Sequence, residues 1–418
     1  MKTLKNIGKI ALLSLALCGG TTSCNYLDVV PPEQASLPDA TKDPESTLGF
    51  LFSCYGGIRN PFDYQTVEAG ADEYVLPPLW NTGSQKITWD LNLPTNIADG
   101  WSWGSNYRFI GQCLLFLQQL PQAKGVTDEQ KRAWAAEANF LLAYYHMVTL
   151  VAYGPCPITD TYIDQATPES EYNGRMHFDY VKDWICQKFD EVCEDGQLPA
   201  TRTGDEWGRA TSVMAKALKA RLLVYAASPL FNGSFPYKDW ENTNFETPGY
   251  GKELISLKYD RKKWEVAKAA CQEAITAAEA AGHKLFSLED AQSLYQQAGL
   301  PLPFVPFKSA EGGTADKDKE FMERVQLMRY VVTTRYKEGN RETIWGLANQ
   351  GTMIIGSLPH RVIKNNQGTW KAGYSGVSPT LNTVEHFYTE NGVPIEKDKQ
   401  FYPQSEWYQS AGVTDRSD

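Results

Sequence analysis

The chain is poor in the residues that do chemistry on their own. Five of its 418 residues are histidine, scattered at positions 146, 177, 283, 360 and 386, whereas a histidine-based metal site needs its ligands grouped. There is no CxxC pair, HExxH helix or phosphate-binding glycine loop, so the short signatures of zinc sites and nucleotide enzymes are missing. Positive charge is scarce as well. Forty Lys and Arg stand against 50 Asp and Glu, a formal charge of −10. Phosphate backbones need a basic face, and this balance argues against nucleic acid as a partner. Beyond the N-terminal stretch no apolar run approaches the 18 or so residues that a spanning helix requires. What remains is a globular composition, 42% hydrophobic and 22% charged, with a surplus of rings: 12 Trp and 22 Tyr. At roughly 100–200 residues per domain the length allows two to four domains.

Residues 1–23 read as an export signal. Lys2, Lys5 and Lys9 precede the apolar run IALLSLALC at 10–18, and small residues then lead to Cys24. That run is too short to span a bilayer. A cysteine after a short apolar stretch and a small residue is the pattern of a bacterial lipoprotein, whose thiol is acylated. Cys18 is a rival but follows a bulky Leu17 inside the apolar run, and Thr21 replaces the commoner Leu of the cleavage motif. An ordinary secretory signal is the other reading. With acyl chains on Cys24 the protein is anchored to a membrane and not threaded through it. Residues 24–47, with Pro and acidic residues, form a tether. Of the remaining cysteines, Cys113, Cys186, Cys193 and Cys271 fall in helical patterns where a thiol acts as a small hydrophobe; disulfides among the six from Cys54 onward are the alternative.

Helical periodicity dominates the middle of the chain. Residues 105–120 place Ile110, Cys113, Leu114, Leu117 and Leu120 on one stripe. Thr127 and Gln130 form a capping box that opens a helix bearing Trp134, Ala138, Leu141, Leu142, Tyr145 and Val148, ending before Gly154. Further helices are predicted over about 177–192, 211–227 and, with Asp260 as N-cap, 260–282. The stripe Trp264, Ala267, Cys271, Ala274, Ile275, Ala278 and the segment WEVAKAACQEAI resemble part of a tetratricopeptide unit. Long excursions at 55–104, 156–176, 228–259 and 296–320 are rich in Gly, Pro, Asn and aromatics; ordered loops of this length are usually functional. Residues 327–334 could form a short strand and 379–388 a helix.

Several of these segments resemble one family. GRATSVMAKALKARLLVYAASPLFNG at 208–233 is similar to the signature helix of the SusD/RagB family. AAEANFLLAYYHMVTLVAYGPCPI at 135–158 resembles its other hallmark, a helix ending in a YG-P-P turn. SPTLNTVEHFYTENGVPI at 378–395 resembles its motif in the C-terminal half, and CNYLD at 24–28 the start of the mature chain. The resemblance implies a mainly α fold: a helical body with tetratricopeptide-like helix pairs over 48–235, and a loop-rich α+β half over 236–418. Family members continue well past the NG-P-I motif, so this C-terminal region reads as cut short. The resemblance also implies an outward-facing lipoprotein of the Bacteroidetes outer membrane. Such a protein captures glycans, or in some cases peptides, for a SusC/RagA-type TonB-dependent β-barrel.

Candidate ligand residues follow from the rings. Tyr74, Trp80, Trp89, Trp101, Trp103 and Tyr107 cluster in a segment of little periodicity, and indole faces suit the polarised C–H faces of sugars. Asn81, Asn92, Asn106 and Arg108 could meet hydroxyls; alternatively the rings pin the long loop to the body. Trp345, Trp370 and Tyr374 mark a second candidate surface. The ligand set is thus Trp80, Trp101, Trp103, Asn106, Trp345 and Trp370, while Trp134, Trp184 and Trp264 are expected in the core. No catalytic residue, metal ligand or cofactor is assigned. Acidic pairs such as Asp72–Glu73 and Asp190–Glu191 keep open a glycoside hydrolase on a helical scaffold. A peptide-binding or purely scaffolding lipoprotein is the third reading. His146 is expected as a satisfied interior histidine.

Overall fold

The structure, a computed structural model, describes residues 37–58, 71–77, 86–87, 93, 103–164, 166–297, 299, 315–346, 363–364, 367, 370–371, 376–389 and 392–399. Helices carry most of it. They are α1 (Pro44–Tyr55), α2 (Trp103–Gln119), α3 (Asp128–Tyr153), α4 (Phe178–Glu191), α5 (Ser212–Ala227), α6 (Lys262–Ala280), α7 (Leu288–Gln297), α8 (Ala315–Thr333) and α9 (Leu381–Glu385). Strands among the described residues are two residues long: β1 (Tyr74–Val75) pairs antiparallel with β4 (Ser378–Pro379), and β2 (Ile363–Lys364) with β3 (Trp370–Lys371).

From α2 to α6 each helix packs on the next, and α1 lies on α2. The reason is visible in the stripes. Ile110, Cys113, Leu114 and Leu120 of the α2 region, Phe140, Leu141 and Tyr145 of α3, Val181, Ile185 and Phe189 of α4, and Met214, Leu222 and Leu223 of α5 are all buried in one core. The capping box opens α3 as its sequence requires: Thr127 Oγ1 accepts from Gln130 N at 3.2 Å, and Gln130 Oε1 from Thr127 N at 2.9 Å. Gly154 closes α3 at φ 70°, ψ −150°, a backbone region open to glycine alone. A small second core of Phe286, Ala291 and Tyr330 joins α7 to α8.

The SPLFNG segment is a hinge between α5 and α6. Phe231 stacks on Phe178, with centroids 4.1 Å apart. The buried Asn232 side chain donates to Ala227 O at 3.2 Å and Asp260 O at 3.0 Å, and accepts from Asp260 N at 2.7 Å. Gly233 sits at φ +96° where a Cβ would come within 2.8 Å of Tyr259 N.

Three expectations are corrected. Residues 327–333 belong to α8 and are not a strand; tertiary packing against α7 overrides their β-branched run. Trp264 is not core: it is 42% exposed, as is Ile275 at 51%. The face of α6 turned to α5 is instead Ala267, Ala270, Ala274 and Ala278. Small residues let the two helix axes approach, which leaves the large residues on the flank outside. The cap of α6 also shifts by one residue, Arg261 standing at N-cap while Asp260 Oδ1 accepts from Lys262 N at 2.8 Å. The six cysteines from Cys54 onward are free thiols, four of them buried.

Candidate functional site

Of the candidate ligand set the structure describes Trp103, Asn106 and Trp345 fully, and of the residues around them Tyr74, Tyr107 and Arg108. Trp80, Trp101, Trp89, Asn81, Asn92, Tyr374 and Cys24 lie outside the described residues, and of Trp370 only the backbone position in β3 is described. Trp103 is the first residue of α2, so it belongs to a helix end.

That helix end is built against the turn that terminates α3. The Trp103 backbone N–H donates to Tyr153 Oη at 3.0 Å. One turn on, Tyr107 brings its ring within 5.1 Å of the indole and donates to Pro157 O at 2.7 Å. Tyr153 meets the indole edge-on at 5.3 Å. Arg175 lies over the Trp103 face, its guanidinium carbon 4.8 Å from the ring centroid. The guanidinium is aimed by its donation to Pro155 O at 2.6 Å and Tyr153 O at 3.2 Å. Trp103 therefore carries a cation on one face and stays half-buried.

The polar groups below are arranged as donors and acceptors without free charge. Burial pushes the Cys156 thiol up to about 12, and burial raises Tyr107 well above an ordinary phenol. His146 is fully buried; its Nε2 accepts from Thr159 N at 3.1 Å, which assigns the proton to Nδ1 and a donation to Leu142 O at 2.8 Å. Burial lowers its pKa to about 4. The histidine is thus the neutral interior strut that the sequence suggested, holding the 156–159 turn to α3. Asn106, 3% exposed, leaves Nδ2 without a hydrogen-bond partner among the described residues.

Trp345 is placed elsewhere. Its ring meets Phe140 at 5.6 Å and Tyr144 at 5.3 Å, both edge-on, and its Nε1–H donates to Gly208 O at 3.0 Å. The structure brings Trp103 and Asn106 together on one helical turn and uses Trp345 to fasten the C-terminal half to α3. Arg108 stands over Phe109 at 4.8 Å. Sequence reading missed Arg175, Tyr153 and Trp240. The Trp240 ring lies against Gly154, where a Cβ would stand 3.4 Å from it. No local signal marks Arg175; its role appears only when the α2 end and the α3 turn meet.

Asp190 pairs with Lys219 at 2.7 Å and Glu191 with Lys188 at 2.7 Å, all on helix surfaces. Asp72 Oδ2 accepts from Asn382 Nδ2 at 2.9 Å and helps tie β1 to α9. Among the described residues no group of three or more His, Cys, Asp or Glu could hold a metal ion, and no helix is long and apolar enough to cross a membrane.

No protein-family model matches the chain, and no curated protein matches it. Solved structures do. BT4246 is 52% identical with a TM-score of 0.76, over 90% of this chain and 62% of its own. A SusD-like protein from Bacteroides fragilis NCTC 9343 is 17% identical with a TM-score of 0.58, over 86% of this chain and 57% of its own. A SusD-like carbohydrate binding protein from the same organism is 16% identical, with a TM-score of 0.52 over 86% and 56%. The chain has the fold of these SusD-like proteins. It is mainly helical, as these neighbours' fold requires, and spans 62% of the length of BT4246. In this chain the YG-P-P turn has a physical role: it aims Arg175 at Trp103 and receives the Tyr107 hydroxyl.

Proposed function

We propose that this SusD-like chain is a surface-exposed glycan-binding lipoprotein. In this reading it captures oligosaccharide and delivers it to a TonB-dependent SusC-type outer-membrane transporter, held at the membrane by lipid on Cys24. The observation that carries the reading is the SusD-like fold, shared with a neighbour described as a SusD-like carbohydrate binding protein. The aromatic end of α2 supports it: Trp103 and Tyr107 offer ring surface, while Arg175 offers donors to hydroxyls and Asn106 lies buried beneath them. Of the earlier ligand set, Trp80, Trp101 and Trp370 remain part of the proposal.

Calorimetry of the whole chain against a glycan panel, beside a reducing-sugar assay, tests it. The expected result is binding without turnover. Trp103→Ala should weaken the best glycan about fivefold, the equivalent of a stacking contact of about 1 kcal/mol. Turnover that depends on one carboxylate would replace this reading with a glycoside hydrolase. Silence toward every glycan, together with recovery of a protein partner, would replace it with a scaffold.

A further inference from the structure

The excursion after α5 holds a second aromatic surface, beside the turn that ends α3. Residues 235–240 line a cleft of about 740 Å³, within the roughly 300–1,000 Å³ of small-molecule sites. Phe235 and Trp240 stack face to face, with centroids 5.4 Å apart and planes 15° apart. Tyr237 meets Phe235 edge-on at 5.7 Å yet is 70% exposed. Its ring adds little to the core and presents its surface to solvent.

The excursion has a fixed place. Asn242 Nδ2 donates to Arg175 O at 2.6 Å, and Asn242 N to Lys252 O at 2.9 Å. Lys263 Nζ donates to Phe231 O at 2.9 Å at the root of the segment. Trp240 rests on Gly154, whose missing side chain makes room for the indole. Aromatic rings held this way lose little freedom on binding, because each has two side-chain torsions and most of the ordering is already done.

We propose that Phe235, Tyr237 and Trp240 form a stacking subsite for a neutral glycan chain, with Lys238 and Asp239 meeting its hydroxyls. The inference rests on the glycan-binding reading and extends it to a surface that the aromatic-rich 74–107 segment does not contain. Ring faces recognise the apolar C–H face of a pyranose. Lys238 supplies donors only and Asp239 acceptors only, so between them they can bind both ends of a hydroxyl's hydrogen-bonding capacity. Their charges cancel, which disfavours a polyanionic chain such as a uronate or sulfated glycan. The cleft's volume lies in the range of small-molecule sites, which favours a small ligand over a protein.

The test uses the whole chain in calorimetry against neutral hexasaccharides of glucose, mannose, galactose and xylose in both anomeric linkages, with an oligogalacturonate and an apolar peptide as comparators. Tyr237→Ala should weaken the best neutral glycan about fivefold at an unchanged melting temperature. Tyr237→Phe should keep wild-type affinity, because the ring and not the hydroxyl makes the contact. Trp240→Ala should also weaken binding but lower the melting temperature, which is why Tyr237 is the deciding position. Wild-type binding of a neutral glycan that neither Tyr237→Ala nor Trp240→Ala changes would overturn the subsite and leave the glycan-binding reading in place. Tyr237→Ala that weakens only the oligogalacturonate or only the peptide would overturn the assignment of ligand. A wild-type chain that binds no glycan would overturn both readings.

Discussion

Glu137, fully buried in the middle of α3, is gripped by Arg209, whose Nε donates to Oε2 at 3.0 Å. Arg202 Nη2 donates to the other oxygen at 3.0 Å, and Tyr55 Oη to Oε2 at 2.6 Å. The same Tyr55 oxygen accepts from Ala210 N at 2.9 Å. One carboxylate thus ties α1, α3 and the loop before α5, and the ends of the network lie far apart in sequence. Replacing one partner leaves charge buried without compensation, which costs about 3–5 kcal/mol. Glu137→Gln should lose stability of that order in urea denaturation. A change under about 1 kcal/mol would mean the two guanidinium groups reach water in the variant.

Stability should fall as the solution is acidified through the histidine range. His146 is held neutral in the folded chain, its pKa lowered to about 4 by burial, whereas it titrates near 6.5 when unfolded. Between these values the unfolded state binds a proton that the folded state refuses. Its contribution is therefore complete above pH 6.5, lost progressively down to pH 4, and gone below. The full loss is about 3 kcal/mol. His177, also lowered to about 4 chiefly by burial, titrates in the same direction. His146→Gln should make the decline between pH 6.5 and 4 shallower, read by denaturation at a series of pH values. An unchanged slope would show that His146 is not the group responsible.

Trp345 separates a structural role from a ligand role. Its N–H bond to Gly208 and its contacts with Phe140 and Tyr144 fix the region around residue 345 to α3. Trp345→Ala should cost about 3–5 kcal/mol of stability, and Trp345→Phe about 1 kcal/mol through the lost hydrogen bond. If Trp345→Phe instead keeps its stability and loses glycan affinity, the indole serves the ligand.

Cys24→Ala should release the protein from washed membranes, because no described helix can cross a bilayer and acyl chains supply the expected anchor. Fractionation with and without the transporter gene decides the matter. Retention in both strains would show that Cys24 is not the lipid site.

The sequence by itself determined the helices α2 to α6, and it did not reveal α1, α7 or α8. The apolar stripes of α2 to α5, the Thr127–Gln130 box and the glycine ending α3 are local signals, readable because each is set within one or two turns of chain. It also carried a resemblance to one family, through motifs whose residues prove to be packing devices: Asn232 and Gly233 between α5 and α6, and the YG-P-P turn under Trp103. Tertiary structure decided the rest, for one reason. Periodicity shows that a helix has an apolar side but not what covers it. On α6 the alanines won the buried face because α5 comes close, and Trp264 was left outside. Trp345 reads in sequence like a loop aromatic until Gly208 and α3 arrive beside it, and Arg175 reads like any surface arginine until it lies over Trp103. Those pairings join residues dozens to more than a hundred positions apart, and only the folded chain brings their atoms within reach.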